Sequence, residues 1–503
     1  MLRPLLAAFA LCALALAGCS QSPSTTTHTG SGAAVAVLPT LEGFGGLARA
    51  DRPTFTAPIL LDNVRAGGEP VMAITPKGTL LVSSHPGFTH YHPSADPTHL
   101  PTEIAQDFAG QTYMWRSTDD GATWTHIGAP NAPMGLGPRS TGLGVSDPDF
   151  TVMADGSICH TDLESLVLAS TECSRDDGVT WLPGNPIASG APIDRQWLAS
   201  YKNEFYFTGN YLAGDDGSGT GADFRASTDF GLTWTSRGST PCNGDVVARP
   251  SDGHLFQSCG TGITVSDDGG RTWSDVRAAD SAADSGLSLN EPALDSAGNV
   301  WISYADGERT LHLAGSPDEG KTWPWMLDLT PHFRFFSGNL VALTNSTTVS
   351  NAVATNGTYV WPWVSAGSDG RVAVSWIGSF GDKPSTQYSG PWYVFTAFVL
   401  GANTGTPTVV LSQLTPKPMH VGPICQSGTT CQVSSVQSDP SGDRRLGDFF
   451  ETTIGTDGYL RGTWANTDER PADVISHPQF VRQTGGVRLI ADDMLGKFTP
   501  TQG

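Results

Sequence analysis

The stretch STDDGATW, Ser117 to Trp124, decides the fold because the chain repeats it. The pattern S-x-D-x-G-x-T-W returns as SRDDGVTW (Ser174 to Trp181), STDFGLTW (Ser227 to Trp234), SDDGGRTW (Ser266 to Trp273) and SPDEGKTW (Ser316 to Trp323). Successive copies start 57, 53, 39 and 50 residues apart, a period that suits one four-stranded unit repeated around an axis. The Asp can accept hydrogen bonds from backbone N–H groups of its own turn. The Gly permits a positive φ, and the Trp can pack into the seam between units. Five such copies predict an all-β chain of radial blades, a β-propeller.

A second set of turns counts the blades. Gly or Asn hairpins follow apolar runs at Pro76-Lys77-Gly78, Asp155-Gly156, Lys202-Asn203, Asp252-Gly253, Ala297-Gly298-Asn299, Asp369-Gly370 and Asp457-Gly458. Seven inner hairpins predict seven blades, five of them carrying the repeated turn, with six blades as the alternative. Pro58 to Asn63 would pair with the last blade, close the ring and leave no free sheet edge.

In a four-stranded blade the first-to-second and third-to-fourth turns share one face. The other face receives the long connections His85 to Gln111, Pro324 to Asn356, Gly378 to Pro391 and Ser412 to Gly447. Long loops in a compact domain are commonly functional, so this face is expected to bind substrate. Its candidate contacts are His85, His92, Tyr388, Trp392 and His420, with His90, Tyr91, Phe333, Phe335 and Phe336 nearby in sequence. The run His85, His90, His92, His99 matches no recognised zinc spacing.

An acid stands near the start of most innermost strands: Glu69, Asp147 and Asp149, Asp194, Asp245, Glu291 and Asp448. Innermost strands line the axial channel, so these carboxylates should converge on one rim, with Arg195 and Arg445 among them. The candidate catalytic set is Asp147, Asp149, Asp194, Arg195, Glu291, Arg445 and Asp448. A carboxylate ring could hold a cation such as Ca²⁺, although no cofactor is firmly implied. Unequal environments could instead make one acid a proton donor and another a base or nucleophile. A third reading has the acids bonding neighbouring blades' N–H groups and holding the ring together.

Composition limits the partners. The 503 residues hold 49 acidic against 28 basic side chains, net charge −21 and pI near 4.8, which excludes a nucleic-acid binder with a basic face. Arg3, the apolar run Leu5 to Leu16 and Leu16-Ala17-Gly18-Cys19 read as a signal peptide, residues 1–18. The LAGC ending resembles the bacterial lipobox, which implies lipidation of Cys19 and a lipid-anchored, extracytoplasmic protein in the cell envelope. Residues 19–54 then hold the lipidated cysteine and a tether, 55–495 a single propeller domain and 496–503 a tail, and a monomer is expected. Beyond Cys19 six cysteines fall as local couples, predicting Cys159–Cys173, Cys242–Cys259 and Cys425–Cys431 disulfides.

The repeated turn is the Asp-box, or BNR repeat, and the chain resembles the sialidase-like β-propeller superfamily over roughly residues 55 to 490. The stretches SDPDF, DRQW, VWPWVSAGSDGRVAVSW and HVGPIC followed by RRLGDFFE resemble a recurring bacterial extracellular type labelled sialidase-like. The resemblance implies an exo-α-sialidase, whose substrate carboxylate meets three arginines, the first in an R-I-P motif opening blade one. Here that stretch is Gly68 to Ile74, with Gly or Glu at the arginine position, and a Glu repels an anionic sugar. The favoured expectation is therefore a carbohydrate-directed propeller, either a non-sialidase glycoside hydrolase or a glycan-binding protein. A true sialidase and a non-enzymatic envelope scaffold are the alternatives. Motifs G-x-S-x-G, H-E-x-x-H and the P-loop are absent.

Overall fold

The computed structural model describes residues 27–28, 51–85, 112–127, 145–164, 168–184, 186–187, 193–211, 221–286, 291–330, 332–336, 339–343, 354–355, 357–426, 431, 442–471 and 475–501. Among the described residues seven antiparallel blade sheets follow one another along the chain, the first three strands of each running outward in sequence order. The innermost strands, in blades 1 to 7, are Gly68–Ile74, Val145–Val152, Ile193–Tyr201, Val246–Ala248, Ala293–Leu294, Tyr359–Ala366 and Glu451–Ile454. Neighbouring innermost strands pack on one another around the axis, as in a propeller.

Each of the seven hairpins read from sequence joins the first and second strands of one blade. The ring closes in blade 7, where Glu451–Ile454, Leu460–Asn466 and His477–Gly485 come from the C-terminal side and Thr54–Phe55 supplies the outer strand. Ile59–Leu60, inside the segment expected to do this, pairs with the same strand. Thr27–His28 pairs with the outer strand of blade 1.

Five turns between third and fourth strands share one hydrogen-bond set. In the first, Ser117 Oγ accepts from Gly121 N at 2.9 Å, and Asp119 accepts from Thr123 N at 2.9 Å and Thr123 Oγ1 at 2.6 Å. Ser174, Ser227, Ser266 and Ser316 open turns with the same three bonds. The fourth residue of each turn has a positive φ and faces the preceding blade. Asp177 (φ 67°) accepts from Thr75 and Thr79 of blade 1, Glu319 (φ 62°) binds Arg249 and His254 of blade 4, and Asp120 (φ 57°) binds Arg461 and Arg482 of blade 7. The seam assigned to tryptophan is thus shared. Trp124 and Trp273 do cross it, 5.1 Å from Phe480 and Phe224, while Trp234 meets Phe207 of its own blade edge-on.

All three expected disulfides form. Cys159 and Cys173 are direct partners across two strands of blade 2. On the long-connection face, the segment read as one loop from Pro324 to Asn356 begins with the outer strand of blade 5, Trp325–Asp328. It then contributes a small sheet of His332–Phe336, Asn339–Leu343 and Ala354–Thr355. Among the described residues no helix is long and apolar enough to cross a membrane.

Candidate functional site

Four innermost strands carry a bulge at the end nearest the long-connection face. Their ladders shift register between Gly68 and Val71, Ser146 and Asp149, Asp194 and Gln196, and Val360 and Trp363. The bulged residues Glu69, Asp147, Arg195 and Trp361 have φ of 46°, 50°, 52° and 51°, a left-handed conformation that costs a side-chain-bearing residue about 1–3 kcal/mol. Three of them precede proline (Pro70, Pro148, Pro362), which has no N–H for the interrupted ladder to leave unpaired. A bulge re-aims the side chain it carries, here at the axial rim.

The first three bulges bring a charge cluster together. Glu69 Oε2 lies 2.7 Å from His85 Nε2, and Glu69 Oε1 accepts from Asp448 N at 2.7 Å with Arg444 3.5 Å away. Arg444 also clasps Asp448 with both terminal nitrogens. Arg195 Nη2 donates to Asp448 at 2.9 Å, while Asp147 Oδ2 accepts from Arg195 N at 3.0 Å. Burial pushes the Asp147 carboxyl well above the usual carboxylate range. The charges of Glu69 and Asp194 and a hydrogen bond with Glu69 add to that rise, and Arg195 opposes it. Burial alone would lower the Arg195 guanidinium, but Asp448, Asp194 and Asp147 together raise it above its ordinary value.

Asp194 differs from the others. Its carboxylate accepts no hydrogen bond among the described residues and lies 3.8 Å from Arg195 Nη1. Side chains at the rim grade from Arg195, 16% exposed, through Asp194 at 8% to Glu69 at 0%.

The remaining acids form a separate tier. Asp149 accepts from Leu198 N of blade 3 at 2.6 Å, and Glu451 accepts from Met72 N of blade 1 at 2.6 Å. These two hold neighbouring blades together, the third reading of the acid ring. Burial raises Asp149, Asp245 and Glu451 well above the usual range, and for Asp245 the charges of Asp149, Glu291 and Glu451 add to it. Glu291 therefore belongs with this tier rather than with Asp147.

Several expected contacts stand elsewhere. Arg445 does not join the cluster: its guanidinium is bound bidentately to Asp443, and its neighbour Arg444 enters instead. His85, Trp392 and His420 were expected on exposed loops. His85 ends a strand of blade 1 and Trp392 lies in a strand of blade 6, and all three are at most 1% exposed. Trp392 Nε1 donates to Gly422 O at 2.8 Å, and His420 Nδ1 meets Thr467 Oγ1 at 2.7 Å. Tyr388 is half-buried, edge-on to Trp392 at 5.3 Å. His92 and Cys19 lie outside the described residues. Reading acids by their place in the strand missed Arg444, Glu451 and the role of Glu69 with His85. The Glu-Pro and Asp-Pro pairs were the signal that could have marked the bulges.

Among the described residues, Glu69, His85 and Asp147 could hold a metal, their ligand atoms lying within 4.8 Å of one another. One nitrogen and two carboxylates suit a transition metal better than calcium. Arg444 and Arg195, already beside these carboxylates, supply the positive charge an ion would bring.

Bulged innermost strands that gather acids and arginines at the axial mouth define a β-propeller with a polar axial site. No protein-family description and no curated protein matches the chain. Solved structures similar to it include sialidases and other propeller glycosidases. The Hadza microbial sialidase Hz136 is 18% identical, with TM-score 0.37, over 62% of this chain and 63% of its own. The intramolecular trans-sialidase from Ruminococcus gnavus is 13% identical, with TM-score 0.38, over 85% and 97%. An α-L-arabinofuranosidase from Fusarium graminearum is 14% identical, with TM-score 0.38, over 90% and 98%. At these identities each likeness is one of fold.

Proposed function

We propose that this chain is an envelope-anchored, carbohydrate-directed propeller that hydrolyses a glycosidic bond at its axial mouth. One observation carries the reading: two carboxyl groups on adjacent innermost strands have opposite environments. Asp147 is buried, hydrogen-bonded to Glu69 and pushed up, which suits a proton donor. Asp194 lies at the rim with an 8% exposed side chain, accepts no hydrogen bond among the described residues and has Arg195 beside it, which suits a base for the attacking water. Asp147 would protonate the glycosidic oxygen as the bond to the anomeric carbon breaks. Water would then add to that carbon and give its proton to Asp194. Glu69, held by His85 and Arg444, positions the Asp147 proton.

The Glu at the position where the resemblance expects an arginine favours a neutral sugar over an anionic one. The test is turnover of a panel of fluorogenic neutral glycosides and of a sialoside between pH 4 and 8. Asp147→Asn and Asp194→Asn should each lower kcat about 10²–10⁴-fold with the fold intact. Turnover in both variants equal to that of the wild type, or release of sialic acid alone, contradicts the reading. The Cys19 anchor belongs to the same proposal, and an unmodified N-terminal cysteine in the mass spectrum of the envelope-purified protein would remove it.

A further inference from the structure

A cavity of about 300 Å³ opens between blades 5 and 6 on the long-connection face. Its inner wall is Trp361 and Pro362, the bulge of the blade 6 innermost strand. That bulge occupies the place Glu69, Asp147 and Arg195 hold in blades 1 to 3, so the cavity starts at the same axial rim and runs outward along a seam. Its volume is at the lower end for small-ligand sites, suited to one compact ring system.

The outer wall is built rather than incidental. Glu308 sits at the tip of the hairpin between Val300–Asp306 and Thr310–Ser316 with φ 61°. Its carboxylate accepts from Ser385 N and Ser385 Oγ, each at 2.7 Å, and from Gln426 Nε2. It thereby ties a blade 5 turn to two blade 6 connections and fixes the wall. Asp284 and Ser285 complete the opening. Among the described residues the cavity is lined by two carboxylates and no cation. Arg309, next to Glu308, is occupied by Gly357 O, Thr358 Oγ1 and Asp382 O. Trp361, 5% exposed, has an indole N–H with no acceptor among the described residues, an exception that calls for a partner.

We propose that this cavity is a distal subsite for one neutral sugar unit, so that the ligand is at least a disaccharide spanning the axial rim and the blade 5–6 seam. Apolar Trp361 and Pro362 offer a surface to a sugar's C–H groups, while Asp284, Glu308 and Gln426 offer polar groups to its hydroxyls. Two carboxylates without a cation exclude an anionic sugar. The inference rests on the axial reading above and adds length and charge preference to it.

The test is calorimetric titration of Asp147→Asn protein, slowed in turnover, with neutral gluco-, xylo- and arabino-oligosaccharides of one to four units. For the sugar that binds, affinity should rise at least tenfold between one unit and the longer chains. Ser285→Trp, which fills the cavity from its outer wall, should erase that rise and leave single-unit binding unchanged. Trp361→Phe should lower chain affinity several-fold, checked against its melting temperature because the residue is buried. Single units and chains binding equally, or a rise that survives Ser285→Trp, overturns the subsite and leaves the axial reading standing. Failure of every saccharide to bind overturns both.

Discussion

Asp147 and Asp194 stand on neighbouring strands at the same rim and both are buried, yet Asp147 is crowded by Glu69 and Asp194 while Asp194 has the Arg195 guanidinium beside it. The difference lies in what surrounds them, which composition and spacing do not express. The sequence placed an acid near the head of most innermost strands correctly, because that position repeats. It could not say which acids only bond a neighbouring blade, as Asp149 and Glu451 do, and which also stand at the mouth, as Asp147 does beside Arg195. Of adjacent Arg444 and Arg445, successive side chains point to different sides, and only the fold selects between them. Arg444 is enclosed between Glu69 and Asp448, so Arg444→Met should destabilise by about 3–5 kcal/mol by leaving buried carboxylates uncompensated. Arg195→Met should cost less stability, since Asp448 keeps Arg444, but should weaken saccharide binding more. Urea unfolding and titration of both variants check this, and equal stability losses would contradict the division of roles.

At the scale of the element, the repeated turn was legible because every fixed residue serves a local hydrogen-bond set. Its unlisted fourth position was not, since it acts on the preceding blade and varies with what that blade presents: Asp177 to threonines, Glu319 to Arg249 and His254. The glycine after it carries two constraints. Gly121 has φ 79°, and a Cβ there would lie 2.1 Å from Phe480 of blade 7. Gly121→Ala should therefore destabilise by about 2–5 kcal/mol through left-handed strain plus overpacking. A thermal midpoint within error of wild type would show that blades 1 and 7 are not in contact there. The bulges were illegible for a related reason: a register shift is a property of a strand pair, and only the proline after Glu69, Asp147 and Trp361 left a trace in one strand.

Among the described residues more carboxyl groups are buried than the few buried cations can pair, and this shapes the pH response. Burial raises Asp147, Asp149, Glu172, Asp245 and Glu451 above their unfolded values. Their contribution to stability is complete below the ordinary carboxylate range and declines as pH rises through the raised values. Burial holds His126 and His160 down to about 4, so their contribution is present above pH ~6.5 and declines as pH falls. The two trends oppose each other between pH ~4 and ~6.5, and above that only the acids act. Above pH ~6.5, where the histidine contribution is constant, the melting temperature should fall wherever a raised carboxyl still titrates and should not rise, and Asp245→Asn should flatten any such fall. A melting temperature that rises over that range contradicts the protonated interior. Blade number and closure were readable because they repeat along the chain. The site was only partly so, because it is assembled from the heads of strands tens to hundreds of residues apart.

The central claim is that a neutral glycan occupies the axial mouth. A crystal of Asp147→Asn protein soaked with the best-binding neutral oligosaccharide tests it most directly. The account predicts sugar density bounded by Asp194, Arg195 and Trp361, with the chain entering the blade 5–6 seam. Density confined to the Asp-box face or the outer blade edges, with the mouth empty, would contradict it.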